Sequence, residues 1–438
     1  AGVDCSDNEV NIKIALNQEM ADGRLSLEDR NSLLVSMTDA VADLVLEDNR
    51  LQALGLSIAE SGGVKAVPGY IRLIETFEES GTLDRKVEGL AANDQLLRRA
   101  ADGKGLTRPE LAVLLSTAKL TLQDAIEQGT LVNDPAMGAD LAAAFPPQMQ
   151  SSEADAIAGH QLRKEIIATK LANRIINRLG LVHPYELTEE EGCTLADMAS
   201  AFVVADRLFG VSALWSEIDS TDMPEAGRLE LLGLVATAMR SHMAAIIREL
   251  PTGFTPAKGI ERLRPGVEQM AGQVDAILTE SLLLRAATME DDLEILGVPG
   301  SLAQRTSHLY EMEGIIGIAS LTARMGGDVV GITGAVIRLG EATGIHWLHS
   351  AAAKIEPSDP WERQLLSGLV HEMQSARLEL IARLGVENIG DRVDTWLAQQ
   401  APRIAQLHHQ LARAQNAPAP TVAMLAELAG QARMLMSR

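Results

Sequence analysis

Aromatic side chains are scarce, at 3% of 438 residues, so any core has to be built from Leu, Ile, Val, Ala and Met. Apart from the β-branched pair, these favour helix. Cysteine is rarer still. Cys5 and Cys193 are the only two and lie far apart, which argues against a disulfide framework and fits a reducing, cytoplasmic setting. Basic residues are in deficit: 38 Lys and Arg against 60 Asp and Glu give a net charge of −22. Nucleic acid needs a basic surface, and so does an anionic bilayer, so neither is expected as a partner. No apolar run approaches the roughly 18 residues that cross a bilayer, and no charged leader is visible at the start. The chain has no G-x-G-x-x-G, no C-x-x-C and no H-E-x-x-H. It therefore lacks the usual signals of a dinucleotide cradle, a thiol–redox or zinc pair, and a zincin.

What is present is helical periodicity. With 46% hydrophobic residues the chain can hold two or three domains with real cores. Gly23 closes a first element, and Ser26 offers an N-cap to apolar residues at helical spacing that run to about Glu60. Ser61-Gly62-Gly63 reads as a turn, since no P-loop Lys-Ser follows. Pro68 opens the next helix. The clearest start is Thr107-Arg108-Pro109-Glu110, a capping box with Pro in the first turn, and Gly129 stops that helix. After Phe145-Pro146-Pro147, a long amphipathic helix is expected over about 153–179. Its Arg163, Lys164, Lys170, Arg174 and Arg178 read as a solvated face rather than an anion site. Thr194 caps a helix that ends at Gly210, and a phrase of helix, Gly, apolar residue and Trp recurs at Gly344-Ile345 and Trp347.

Leu250-Pro251-Thr252-Gly253-Phe254-Thr255-Pro256 is the best linker candidate. Further helices are expected at about 259–289, 300–325, 328–343, 358–384, 389–413 and 419–436, the last loosely attached beyond Pro418 and Pro420. No β-sheet is credible. The expected fold is all-α and multi-helix, in two helical subdomains, with no nucleotide-binding sheet. The expected divisions are 1–24, 25–252 and 253–438.

One stretch reads as part of a site: the opening Ala1-Gly2-Val3-Asp4-Cys5-Ser6-Asp7-Asn8-Glu9-Val10-Asn11-Ile12-Lys13-Ile14. Ser6-Asp7-Asn8-Glu9 fits a capping box, with Ser6 or Asp7 as the cap. Val10, Ile12, Ile14 and Leu16 alternate as in a strand, although the cap argues more for a buried helix. The string AGVDCSDNEVNIKI resembles the end of the catalytic domain in the large NAD-dependent glutamate dehydrogenases of bacteria. GLTRPELAVLLSTAK (105–119) and LRKEIIATKLANRIINRLG (162–180) resemble that family's carboxy-terminal region. The three strings stand in the family's order. The resemblance weakens past about residue 300, and Asn8 occupies a position where His is more frequent.

The resemblance implies that Val3 packs on the methylene groups of glutamate and that the Ser6 hydroxyl bonds its side-chain carboxylate. It implies an oxidoreductase of amino-acid catabolism as parent, converting L-glutamate and NAD to 2-oxoglutarate, ammonia and NADH. The family's catalytic Lys and Asp and its nucleotide loop would lie upstream, so this piece would bind no NAD, hold no catalytic residue and be inactive alone. Its partners would be the upstream catalytic domain of the same chain and further copies in a homo-oligomer. The start inside a motif, without Met, agrees with a piece of a longer chain. The alternative is a free-standing helical interaction scaffold with no enzymatic parent. His346 and His349, three apart, could hold a metal with a carboxylate such as Glu341, but Trp347 between them suggests ordinary packing.

Overall fold

A computed structural model describes residues 2–273, 280–352, 354–355, 360–417 and 419–437. The side chains of Val3, Glu280, Ser281, Leu282, Pro360 and Arg363 lie outside that description. Every regular element among the described residues is a helix, so the chain is all-α. It divides into two compact units. Unit 1 is Ala1–Asp206, Arg228–Ile247 and Pro251–Lys258; unit 2 is Arg207–Gly227, Arg248–Leu250 and Gly259–Arg438.

The core of unit 1 is the packing of Arg108–Gln128 against Arg163–Leu179, with Thr38–Ser61 laid on both. Leu111, Leu114, Leu115, Ala118, Leu122 and Ile126 recur at helical spacing and are buried, as are Ile166, Ile167, Leu171, Ile175, Ile176 and Leu179 opposite. Each large aliphatic side chain so buried contributes about 1.5–3 kcal/mol. The first of these helices begins where the residues dictate. Glu110 accepts from the Thr107 amide at 2.7 Å and the Thr107 hydroxyl at 2.8 Å, and Arg99 closes on the same carboxylate. Gly55 permits the close approach of Thr38–Ser61, because a Cβ there would lie 3.2 Å from the Asn177 Cα. The few aromatics are spent at junctions: Phe77 meets Tyr185 edge-on at 5.2 Å.

In unit 2, Pro360–Leu384 packs against Val422–Met436, and Ile389–Gln415 against Val329–Ala342. The last helix is firmly docked rather than loose. Leu425, Leu428, Ala429, Ala432, Leu435 and Met436 are buried, and Arg383 donates to the Ser437 carbonyl at 2.7 Å. Gly266 lets Pro256–Ala271 cross Ile315–Met325 closely, since a Cβ would stand 2.9 Å from the Ala319 Cα. Gly326 (φ 75°) and Gly327 (φ 102°) end one helix, and the Asp328 carboxylate caps the next through the Gly331 amide at 2.9 Å.

Three expected helices are broken. The run to Glu60 divides at Met37, where the Ser36 and Thr38 hydroxyls take the Leu33 and Val35 carbonyls. The helix expected over 153–179 divides into Ala154–Ala158 and Arg163–Leu179, because His160 turns back so that its Nδ1 accepts from the Leu162 amide at 3.0 Å. The helix expected over 300–325 divides at Gly314, which is left-handed at φ 87°. The expectation for 259–289 falls partly on 274–279, outside the described residues. Contrary to the expectation of no membrane-length run, Glu225–Glu249 is long and apolar enough to cross a bilayer, with mean hydropathy 1.2. Half of its most apolar stretch is buried inside the protein, as in a core helix.

Candidate functional site

The opening stretch is helical from Gly2 to Ala21, so no capping box forms at Ser6. Both candidate caps sit inside the helix, and the Ser6 hydroxyl instead donates to the Gly2 carbonyl one turn back, at 3.2 Å. This back-bond is the usual in-helix alternative for Ser. The alternation of Val10, Ile12, Ile14 and Leu16 is resolved as helix: Ile12 and Leu16, four apart, are buried, while Val10 is half exposed. Ser6 is exposed, and the side chain of Val3 lies outside the described residues.

The inward face of this helix carries Asp4, Asn8 and Asn11. With Asp48, Glu165 and Lys170 they line a cavity of about 280 Å³. Asn8 is buried and donates to the Asp4 carbonyl at 2.9 Å. Lys170 is paired with Asp48 at 2.6 Å. Burial, and then the Asp48 charge, raise the Asp4 carboxyl above its ordinary range. His160 fastens the far side. Its Nδ1 accepts from the Leu162 amide, so Nε2 carries the proton and donates to the Asn11 carbonyl at 2.9 Å. Carboxylates outnumber the cation here, so the cavity suits no anion, and Ser6 is not among its lining residues.

The basic strip of the Arg163–Leu179 helix departs from expectation. Arg174 pairs with the buried Asp140, stands 3.6 Å from the buried Asp206, and lies over the Phe202 ring at 5.9 Å. Arg178 is itself buried, and only Lys164 faces solvent freely. Lys170 and Arg174 hold acidic neighbours inside unit 1, so the strip is not a single solvated face.

A larger chamber, about 370 Å³, lies in unit 2 and brings together Arg285, Glu311, Glu313, His346, His349 and Arg377. Burial, and then the Arg377, His349 and Arg285 charges, lower the His346 pKa to about 4. His349 is lowered by burial against the opposing pull of Glu313. Burial depresses even the Arg377 guanidinium, to about 10, with Glu313 acting the other way. The two histidines singled out in the sequence are thus neighbours in a cavity, but Glu341 is not among its lining residues. No group of three or more His, Cys, Asp or Glu among the described residues is arranged to hold a metal. Sequence reasoning missed Arg377. The available signal was its place in the apolar stripe Met373, Ala376, Arg377, Leu380 and Ile381, where a cation is out of pattern.

Against known families, residues 103–433 match the model described as "Glutamate dehydrogenase, C-terminal". The chain belongs to that family. Residues 1–59 match a second model, "Bacterial NAD-glutamate dehydrogenase, catalytic domain". This glutamate dehydrogenase C-terminal chain is 30% identical over 439 residues to the NAD-specific glutamate dehydrogenase of Pseudomonas aeruginosa, covering 97% of this chain and 27% of that protein. The Halomonas elongata enzyme of the same name is 29% identical, over 91% of this chain and 25% of its own length. The Mycobacterium tuberculosis one is 27% identical, over 94% and 26%. The chain thus spans about a quarter of the relatives it matches. The family match runs on well past residue 300, where the resemblance weakens to the eye. The described residues contain no strand, and so no strand–turn–helix crevice of the kind that seats a dinucleotide.

Proposed function

We propose that the chain is the carboxy-terminal helical portion of an NAD-dependent glutamate dehydrogenase, whose whole reaction converts L-glutamate and NAD to 2-oxoglutarate, ammonia and NADH. The observation that carries this reading is the tandem order of the two family matches, 1–59 followed by 103–433, colinear with relatives about four times as long. That order favours an enzymatic parent over a free-standing scaffold. In this reading the first 24 residues complete the catalytic domain, and the helices beyond, 25–252 and 253–438, buttress it and supply contacts in a homo-oligomer or for regulation. Val3 and Ser6 contribute to the glutamate pocket only when the upstream domain is present. The exposure of Ser6 supports this: its hydroxyl donates to the Gly2 carbonyl at 3.2 Å and, being exposed, is free to turn and donate to a substrate carboxylate instead. Hydride transfer requires a cofactor held against the substrate, and the described helices offer no such cradle. In this reading the piece is inactive alone.

Calorimetric titration of the chain with NAD tests the reading. No NAD binding is expected, and tight NAD binding would overturn it. In the parent enzyme, Ser6→Ala is expected to raise KM for glutamate by about tenfold, the worth of one charge-assisted hydrogen bond. An unchanged KM would remove Ser6 from the pocket.

A further inference from the structure

Arg377 is buried, 8% exposed, at the centre of the unit 2 helices. Among the described residues it makes no hydrogen bond and no ion pair, and its Nε has no partner. The Glu313 charge favours the guanidinium without bonding to it directly. Taking a guanidinium out of water with its hydrogen bonds unmade costs several kcal/mol, and native proteins keep such groups rarely. The neighbouring His346 is in the same condition at Nδ1. Room for both has been made at Gly340, where a Cβ would strike the His346 ring and come within 3.0 Å of Arg377 Nη1. These groups border the chamber of about 370 Å³, a size within the range of small-molecule sites.

We propose that this chamber is a binding site for a small organic carboxylate, with Arg377 receiving the carboxylate and His346 beside it. Planar guanidinium matches a carboxylate through two parallel hydrogen bonds. The charge of the chamber narrows the class. Arg285 adds a second cation at the wall, while Glu311 and Glu313 bring two carboxylates to the same space. A phosphate dianion would be repelled by that pair. A single carboxylate is tolerated, alone or on a molecule that also bears an ammonium group for the acidic side. Met289, Ile318 and Val336 give the aliphatic part of such a molecule an apolar wall. The chamber lining includes neither Val3 nor Ser6, and the proposal stands whether or not the glutamate pocket is confirmed.

Calorimetry of the full chain at fixed ionic strength and pH 7.5, with sodium propionate, alanine and sodium phosphate as probes, tests it. Saturable binding of propionate or alanine is expected, and the stronger of the two tells whether the ammonium group is read. Quenching of Trp347, which borders the chamber, should accompany it and vanish in Trp347→Phe. Arg377→Met should weaken binding by about tenfold or more, the worth of a hydrogen bond to a charged group, while leaving the melting temperature equal or higher. Should that variant not fold, Arg285→Met, altering an exposed side chain, should still weaken binding several-fold. Binding of neither carboxylate, binding of phosphate in their place, or undiminished binding in the arginine variants would overturn the proposal.

Discussion

At the scale of the residue, the unusual groups are cations and imidazoles set among aliphatic side chains. His346 shows what that placement costs. Its pKa is lowered to about 4, first by burial and then by the Arg377, His349 and Arg285 charges. The unfolded chain binds the proton near pH 6.5, so its contribution is fully present above that value. It is lost as pH falls toward the folded pKa. By pH 4.5 the loss from this one group is about 2–3 kcal/mol. Urea unfolding at pH 7.5 and 4.5 should therefore show the native chain losing more stability than His346→Gln, by about that amount. Equal losses would mean that the imidazole is solvated. Glu110 titrates in the other familiar direction. Burial pushes its carboxyl up, but the bonds from Arg99 and Thr107 outweigh that and hold it below the usual range. Its contribution is present at neutral pH and fades in acid, so the acid loss shared by both proteins has an identifiable source.

At the scale of the element, the sequence was legible wherever a helix end is decided by the residues at that end. Thr194 forms the expected cap, its Oγ1 accepting from the Asp197 amide at 3.1 Å. Gly210 and Gly344 are left-handed, as the repeated phrase required, at φ 64° and 73°. The breaks at Met37 and His160 were not legible, because they follow from local hydroxyl competition and a ring that turns back, neither of which disturbs the apolar period. The basic strip was misread for a related reason. The partners of Arg174 are Asp140, 34 residues away, and Asp206 on another helix, and periodicity says nothing of such pairings. The opening stretch was legible as helix and as a family string, whereas the face it turns inward, Asp4, Asn8 and Asn11, is not the face the resemblance points to. The two glycine turns also separate conformation from crowding. A Cβ on Gly210 meets nothing within 4 Å, whereas one on Gly344 strikes the Leu411 side chain. Gly210→Ala should cost about 1–2 kcal/mol and Gly344→Ala about 2–5 kcal/mol, read as shifts in the urea midpoint. Equal costs would show that Leu411 moves aside freely.

At the scale of the whole molecule, the dominant quantity is the net charge of −22. Self-repulsion of that size works against the compact state. Exposed ion pairs work the other way: Lys13–Glu9 at 3.1 Å, Arg50–Glu47 at 2.8 Å and Arg338–Asp394 at 2.9 Å are solvent-facing. Such pairs contribute about 0–1 kcal/mol each and fade in salt. The half-buried pairs, such as Lys170–Asp48, are shielded from ions and change little. Raising NaCl from about 0.01 M to about 0.15 M shortens the screening length from about 30 Å to about 8 Å. That reaches the long-range repulsion first, because contacts at 3 Å are the last to be screened. The melting temperature should therefore rise by several degrees over this range. A fall would mean that the surface pairs outweigh the repulsion. The same titration on Arg377→Met separates screening from anion occupancy of the unit 2 chamber. A rise that survives in the variant is general electrostatics, whereas one that disappears with the guanidinium would mean that chloride itself was filling the site.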